Sequence, residues 1–139
     1  MSRIVTEPRA AGRPPVGVAW TPGRRPYVPG GPAVAALLSA MLGMLTLAVV
    51  NVLTEASSGF EARVHGVGQL WMPGAEGIGP YSGKETLALA AWIGSWAVLH
   101  VVLRRADLPV SRWLVVLLAG VGLATTLIWP PIYGYLAGH

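Results

Sequence analysis

Three apolar stretches constrain this 139-residue chain more than any other feature. They run from about residue 32 to 53, 86 to 103 and 113 to 127, and a helix of about 20 apolar residues crosses a hydrocarbon core about 30 Å thick. The chain is 53% hydrophobic and 12% charged, whereas about 25% of the residues of a soluble domain are charged. Because helices satisfy their own backbone groups in lipid, the sequence predicts an all-α integral membrane protein with three transmembrane helices.

The charged residues are distributed unequally between the segments that the spans place on the two sides of the membrane. Basic residues outnumber acidic ones before the first stretch and between the second and third, whereas glutamates prevail between the first and second. Cytoplasmic loops keep the excess of Lys and Arg. The pattern therefore predicts a multi-pass protein of a bacterial inner membrane, with a cytoplasmic N-terminus and a periplasmic C-terminus.

These features divide the chain into seven predicted segments, in an order that alternates between connections and spans. They are a cytoplasmic tail (1–31), transmembrane helix 1 (32–54), a periplasmic loop (55–83), transmembrane helix 2 (84–105), a cytoplasmic turn (106–111), transmembrane helix 3 (112–129) and a periplasmic C-terminal segment (130–139). The turn is so short that the second and third spans are expected to form an antiparallel hairpin. Pro130 and Pro131 are expected to stop or kink the third span.

The tail and the loop are the two long segments outside the spans. Prolines are frequent in the tail, so an extended conformation is expected there, held by a partner through Trp20, Arg24, Arg25 and Tyr27. The loop is rich in glycine and is not expected to be helical throughout. Its apolar side chains, Trp71 among them, are expected to contact a partner or the membrane surface.

Within the spans, helical spacing predicts which residues share a face. Ser39 and Gly43 form a small-xxx-small pair in the first span, as Ala90 and Gly94 do in the second, and such pairs let helices approach closely. At the start of the second span, Ser82 is expected to cap the helix.

His100 is the one ionisable residue that the pattern places well inside a span, and such a residue is a functional candidate. Trp92, Trp96 and His100 follow one another at i, i+4 spacing and therefore share a face, so the two tryptophans are further candidates for partner contacts. Three interpretations of His100 stay open. They are a hydrogen-bonded structural histidine, a ligand of haem or bacteriochlorophyll, and a proton relay.

His65 and Met72 in the loop raise the question of a metal site. An imidazole and a thioether can together bind copper, although ordinary loop contacts explain both residues as well. The sequence contains no cysteine, which excludes disulfides and thiolate metal ligands.

The sequence favours an accessory protein over an enzyme. It lacks the GxxxxGK[ST], HExxH and GxSxG motifs, and its basic residues are explained by topology without nucleic acid. We expect a non-catalytic structural subunit of a multi-subunit energy-transducing complex, respiratory or photosynthetic, which contacts lipid and other integral membrane subunits and has no cofactor of its own. The alternatives are a cofactor-binding subunit using His100 and a small homo-oligomeric channel or transporter.

Overall fold

The computed structural model describes residues 28–74 and 79–137, and within them all regular secondary structure is helical. The helices are, in chain order, α1 (Gly31–Ala56), α2 (Ser58–Gln69), α3 (Tyr81–Leu103), α4 (Val110–Ile128) and α5 (Pro130–Ala137). Three of them, α1, α3 and α4, are long and apolar enough to cross a membrane. This confirms the predicted all-α chain with three candidate spans. Trp20, Arg24, Arg25 and Tyr27, the predicted partner contacts of the tail, lie outside the described residues.

Helix α1 is the centre of the bundle. It packs against both α3 and α4, whereas α3 and α4 make little or no contact with each other. The side chains of Val34, Ala35 and Ala48 on α1 are fully buried. The second and third spans are joined by a short connection, as expected for a hairpin, but they do not pack on each other. Both helices pack on α1 instead: α3 approaches it at Gly43, and Gly120 of α4 lies against the side chain of Met41.

Gly43 sets the contact between α1 and α3. A Cβ at this position would lie 2.9 Å from Cβ of Trp92 and 3.3 Å from the carbonyl oxygen of Ala88, so the absent side chain allows close approach. Ser39, one turn earlier, is fully buried. The first small-xxx-small pair thus lies in a helix contact, as its spacing indicates. In the second pair, Ala90 is exposed and Gly94 faces open space.

The end of the bundle at which residues 104–109 join α3 to α4, here called the turn end, is closed by the start of α1. The backbone N–H of Gly31 donates to the carbonyl oxygen of Ala106 at 3.0 Å. A side chain at Gly31 would overlap the carbonyl oxygen of Leu103. Glycine therefore allows a backbone-to-backbone contact that fixes where α1 begins.

At the opposite end, here called the loop end, the segment predicted as a loop contains α2. Ser57 caps this helix, since its Oγ accepts a hydrogen bond from the backbone N–H of Phe60 at 3.4 Å, and Glu61 lies in the first turn. A carboxylate there is favoured by the helix dipole. The prediction for Ser82 is wrong, because α3 starts at Tyr81 and Ser82 is buried inside it.

The proline pair separates α4 from α5. Helix α4 ends at Ile128, Trp129 is extended, and Pro130 begins the short helix α5, which packs on α1. The first turn of a helix tolerates proline because its N–H groups have no partner within the helix. The break is where the prolines predicted it.

Candidate functional site at the loop end

The principal polar cluster of the bundle surrounds Lys84. This residue lies in the first turn of α3 and is only 4% exposed. Its Nζ donates a hydrogen bond to Oδ1 of Asn51 at 2.9 Å and lies 3.5 Å from Oε1 of Glu55. The ring of Tyr81 faces the same ammonium group, with 5.4 Å between Nζ and the ring centroid.

The antiparallel packing of α1 and α3 explains how these residues meet. Asn51 and Glu55 are four residues apart on α1 and so share a face, and the start of α3 lies beside them. Glu55 keeps contact with water, because its side chain is 41% exposed, and an ion pair with such a partner is worth little, about 0–1 kcal/mol. The hydrogen bond to Asn51 is therefore the stronger contact of the buried ammonium group.

Helix α2 covers the start of α3 through two glycines. A Cβ on Gly83 would overlap the carbonyl oxygen of Val64, and a Cβ on Gly68 would overlap the hydroxyl of Ser82. These two contacts bring the backbones of α2 and α3 together. The glycines that argued against helix in the loop are the residues that allow the new helix to pack.

A hydrogen bond from Trp71 attaches the residues that follow α2 to the first turns of α3. Its indole N–H donates to the hydroxyl of Thr86 at 2.8 Å, and that hydroxyl donates to the carbonyl oxygen of Ser82 at 2.6 Å. The Trp71 side chain nevertheless remains 60% exposed. Its predicted role in a partner contact is compatible with this position and stays a prediction.

Both ring nitrogens of His65 have hydrogen-bond partners. Nδ1 donates to the carbonyl oxygen of Gly79 at 2.8 Å, which leaves Nε2 to accept from Nε2 of Gln69 at 3.0 Å. Among residues 28–74 and 79–137, no group of three or more His, Asp or Glu side chains could hold a metal ion. A copper site at His65 and Met72 stays a prediction, and it would require one of these hydrogen bonds to be broken.

His100 lies near the turn end of α3 and is half-buried. Its ring packs on that of Trp96, with 5.4 Å between centroids and an angle of 33° between planes. Trp92 and Trp96 line one groove together with Ala36 of α1, so the two tryptophans share a face; their contact with a partner stays a prediction. The role of His100 towards haem or bacteriochlorophyll stays a prediction.

A cavity of about 210 Å³ adjoins the Lys84 cluster. Its lining comes from all three spans and consists of Leu47, Asn51, Tyr81, Lys84, Glu85 and Ile128. Sequence reasoning missed Lys84 and Asn51 as site residues, although a polar residue near the end of each of two successive spans was a usable signal.

Comparison of the chain with known protein families, curated proteins and solved structures finds no match.

Proposed function

We propose that the chain is an accessory, non-catalytic structural subunit of a multi-subunit membrane complex. The observation that carries this proposal is the arrangement of α3 and α4, which pack on α1 but hardly touch each other. Within the described residues, hardly any residue of the apolar part of α3 or α4 is fully buried by the rest of the chain. A neighbouring subunit can complete such a bundle.

One surface of α3 suits a neighbouring helix. Ala90, Gly94, Val98 and Val101 lie at helical spacing on the side away from α1, and we call this surface the α3 outer face. Nothing in the described chain comes within 4 Å of a Cβ built on Gly94, and Val98 and Val101 are each 63% exposed. Without a hydrophobic driving force in lipid, helices associate through close packing at small residues. The α3 outer face offers that kind of contact.

The hydroxyl groups of the spans support a structural role over transport. Those of Ser39 and Thr46 on α1 donate to the carbonyl oxygens of Ala36 and Leu42 in the same helix. Thr125 and Thr126 on α4 bond likewise within their own helix, to carbonyl oxygens one turn earlier. A transport pathway places polar groups where a substrate can use them. Here the hydroxyls are bonded to their own backbone.

The proposal also covers the kind of complex that contains the chain and the orientation of the chain in the membrane. The host is an energy-transducing complex of a bacterial inner membrane, with the tail on the cytoplasmic side and the loop end facing the periplasm. The proline-rich tail and the exposed ring of Trp71 then contact neighbouring subunits on opposite sides. The charge asymmetry of the connecting segments supports this orientation.

The test is the composition of the particle that contains the chain. We expect the full chain, extracted from its native membrane in a mild detergent, to purify with the same larger subunits in constant ratio. Deleting residues 1–28 should leave membrane insertion intact, because Arg104, Arg105 and Arg112 still set the orientation, but should reduce the amount of each companion recovered. Mass spectrometry of the purified particle measures both.

Two outcomes contradict the proposal. In one, the chain migrates alone as a monomer. In the other, it forms a homo-oligomer that conducts ions or solutes after reconstitution, which would establish the channel alternative. Full recovery of companions after deletion of the tail would contradict the role given to the tail and leave the subunit proposal intact.

A further inference from the structure

We infer that the cavity beside Lys84 binds the headgroup of a zwitterionic aminophospholipid of the phosphatidylethanolamine type. The cavity holds about 210 Å³, a space suited to a headgroup rather than to acyl chains. Leu47 and Ile128 give it an apolar side, and Lys84 and Glu85 give it a charged side. An amphiphile with two opposite charges on its polar end matches this lining.

The charges decide which headgroup fits. The cavity and the adjoining Lys84 cluster together contain one cation, Lys84, and two carboxylates, Glu55 of the cluster and Glu85 of the cavity lining. Their formal charge is negative, so an anionic headgroup is disfavoured. In the proposed complex, a phosphate oxygen accepts a hydrogen bond from Nζ of Lys84, and the lipid ammonium donates to the carboxylate of Glu85. The lysine donates one hydrogen bond to Asn51 and is paired with Glu55 at 3.5 Å, so even if both use a donor, one N–H remains for the phosphate.

The position of the cavity along the membrane normal supports a lipid ligand. Lys84 is three residues from the start of α3 at Tyr81, which places it about 4.5 Å along the helix axis, near the level of the headgroups. Tyr81 is 62% exposed and Trp129 is 61% exposed, and such aromatic side chains are typical of the membrane interface.

In the proposed complex, the lipid enters the cavity from the side between α3 and α4. These helices make little or no contact with each other, and the cavity is lined by both Lys84 of α3 and Ile128 of α4. The acyl chains then lie between the two helices and the headgroup lies against Lys84. The same lipid would fill part of the space that α3 and α4 leave between them.

Native mass spectrometry of the purified full chain tests this site without any partner protein. The chain is given equal amounts of phosphatidylethanolamine, phosphatidylglycerol and phosphatidylcholine with identical acyl chains. We expect phosphatidylethanolamine to be retained preferentially, because phosphatidylglycerol is anionic and choline has no N–H donor. Glu85→Gln should lower its retention about tenfold, since it removes one charge-assisted hydrogen bond.

A matched pair of variants tests the cavity itself. Ile128→Trp should fill the cavity and reduce lipid retention, whereas Ile93→Trp, on an exposed part of α3 (59% exposed), should not. Soluble glycerophosphoethanolamine should fail to displace the lipid, because it lacks the acyl chains. The inference is overturned if the wild-type chain retains phosphatidylglycerol as strongly, if Glu85→Gln has no effect, or if both tryptophan variants behave alike. Displacement by the soluble headgroup would overturn the lipid as the ligand.

Discussion

Replacing Lys84 by methionine is expected to lower the free energy of unfolding of the chain by about 2 kcal/mol, the cost of losing a hydrogen bond to a charged group. Methionine keeps the length of the side chain and its apolar stem. It removes the donor to Oδ1 of Asn51 and leaves that amide oxygen without its partner. Unfolding of the full chain in mixed detergent micelles, followed by tryptophan fluorescence, measures the change.

The partner substitution makes the test specific. Asn51→Leu alone should cost more, about 3 kcal/mol, because it leaves the buried ammonium without its closest acceptor. In the double variant the two losses of unfolding free energy should not add, since each substitution removes the group that the other leaves unpaired. We expect the double variant to lose about 1–2 kcal/mol less than the sum of the two single variants. A Lys84→Met chain as stable as the wild type, or strict additivity, would show that the contact contributes nothing.

Gly83→Ala is expected to destabilise the chain by about 1–3 kcal/mol, the usual cost of overpacking. The added Cβ would overlap the carbonyl oxygen of Val64, and a backbone atom inside α2 cannot move without shifting the helix. We therefore expect α2 to separate from α3. Faster hydrogen exchange of the amides of α2 measures this directly.

Gly94→Ala is the matched control. Gly94 lies in the same helix, but apart from the adjoining backbone of α3 no described atom lies within 4 Å of the position that an alanine Cβ would take there, so only helix propensity changes. Alanine is favoured over glycine in a helix by about 1 kcal/mol, and the isolated chain should be as stable as the wild type or more so. If Gly83→Ala and Gly94→Ala have the same effect, the tight contact between α2 and α3 is not the cause.

The three spans could be predicted because their signal is local. Long apolar runs identify α1, α3 and α4, and the proline pair identifies the end of α4. The arrangement of the spans could not be predicted in this way. A short connection suggested that α3 and α4 pack together, but α3 packs on α1 at Gly43 and α4 packs on α1 at Met41.

Helix α2 and the site were missed for different reasons. Glycines lower helix propensity, and those of the loop outweighed the signal from Ser57 and Glu61 at the helix start. Nothing in the sequence around Lys84 indicates that it is buried, because its polar partner Asn51 lies 33 residues earlier in the chain. Contacts of that range become visible only when α1 and α3 are placed side by side.

Site-specific photocrosslinking from the α3 outer face tests the proposed subunit role most directly. A benzophenone side chain at Val101, which is 63% exposed, should crosslink in native membranes to one other polypeptide of defined mass. Gly94→Leu should abolish that product by filling the contact, whereas Gly122→Leu, at a glycine of α4 that also faces open space, should leave it unchanged. Crosslinks to lipid alone, or only to further copies of this chain, would contradict the account.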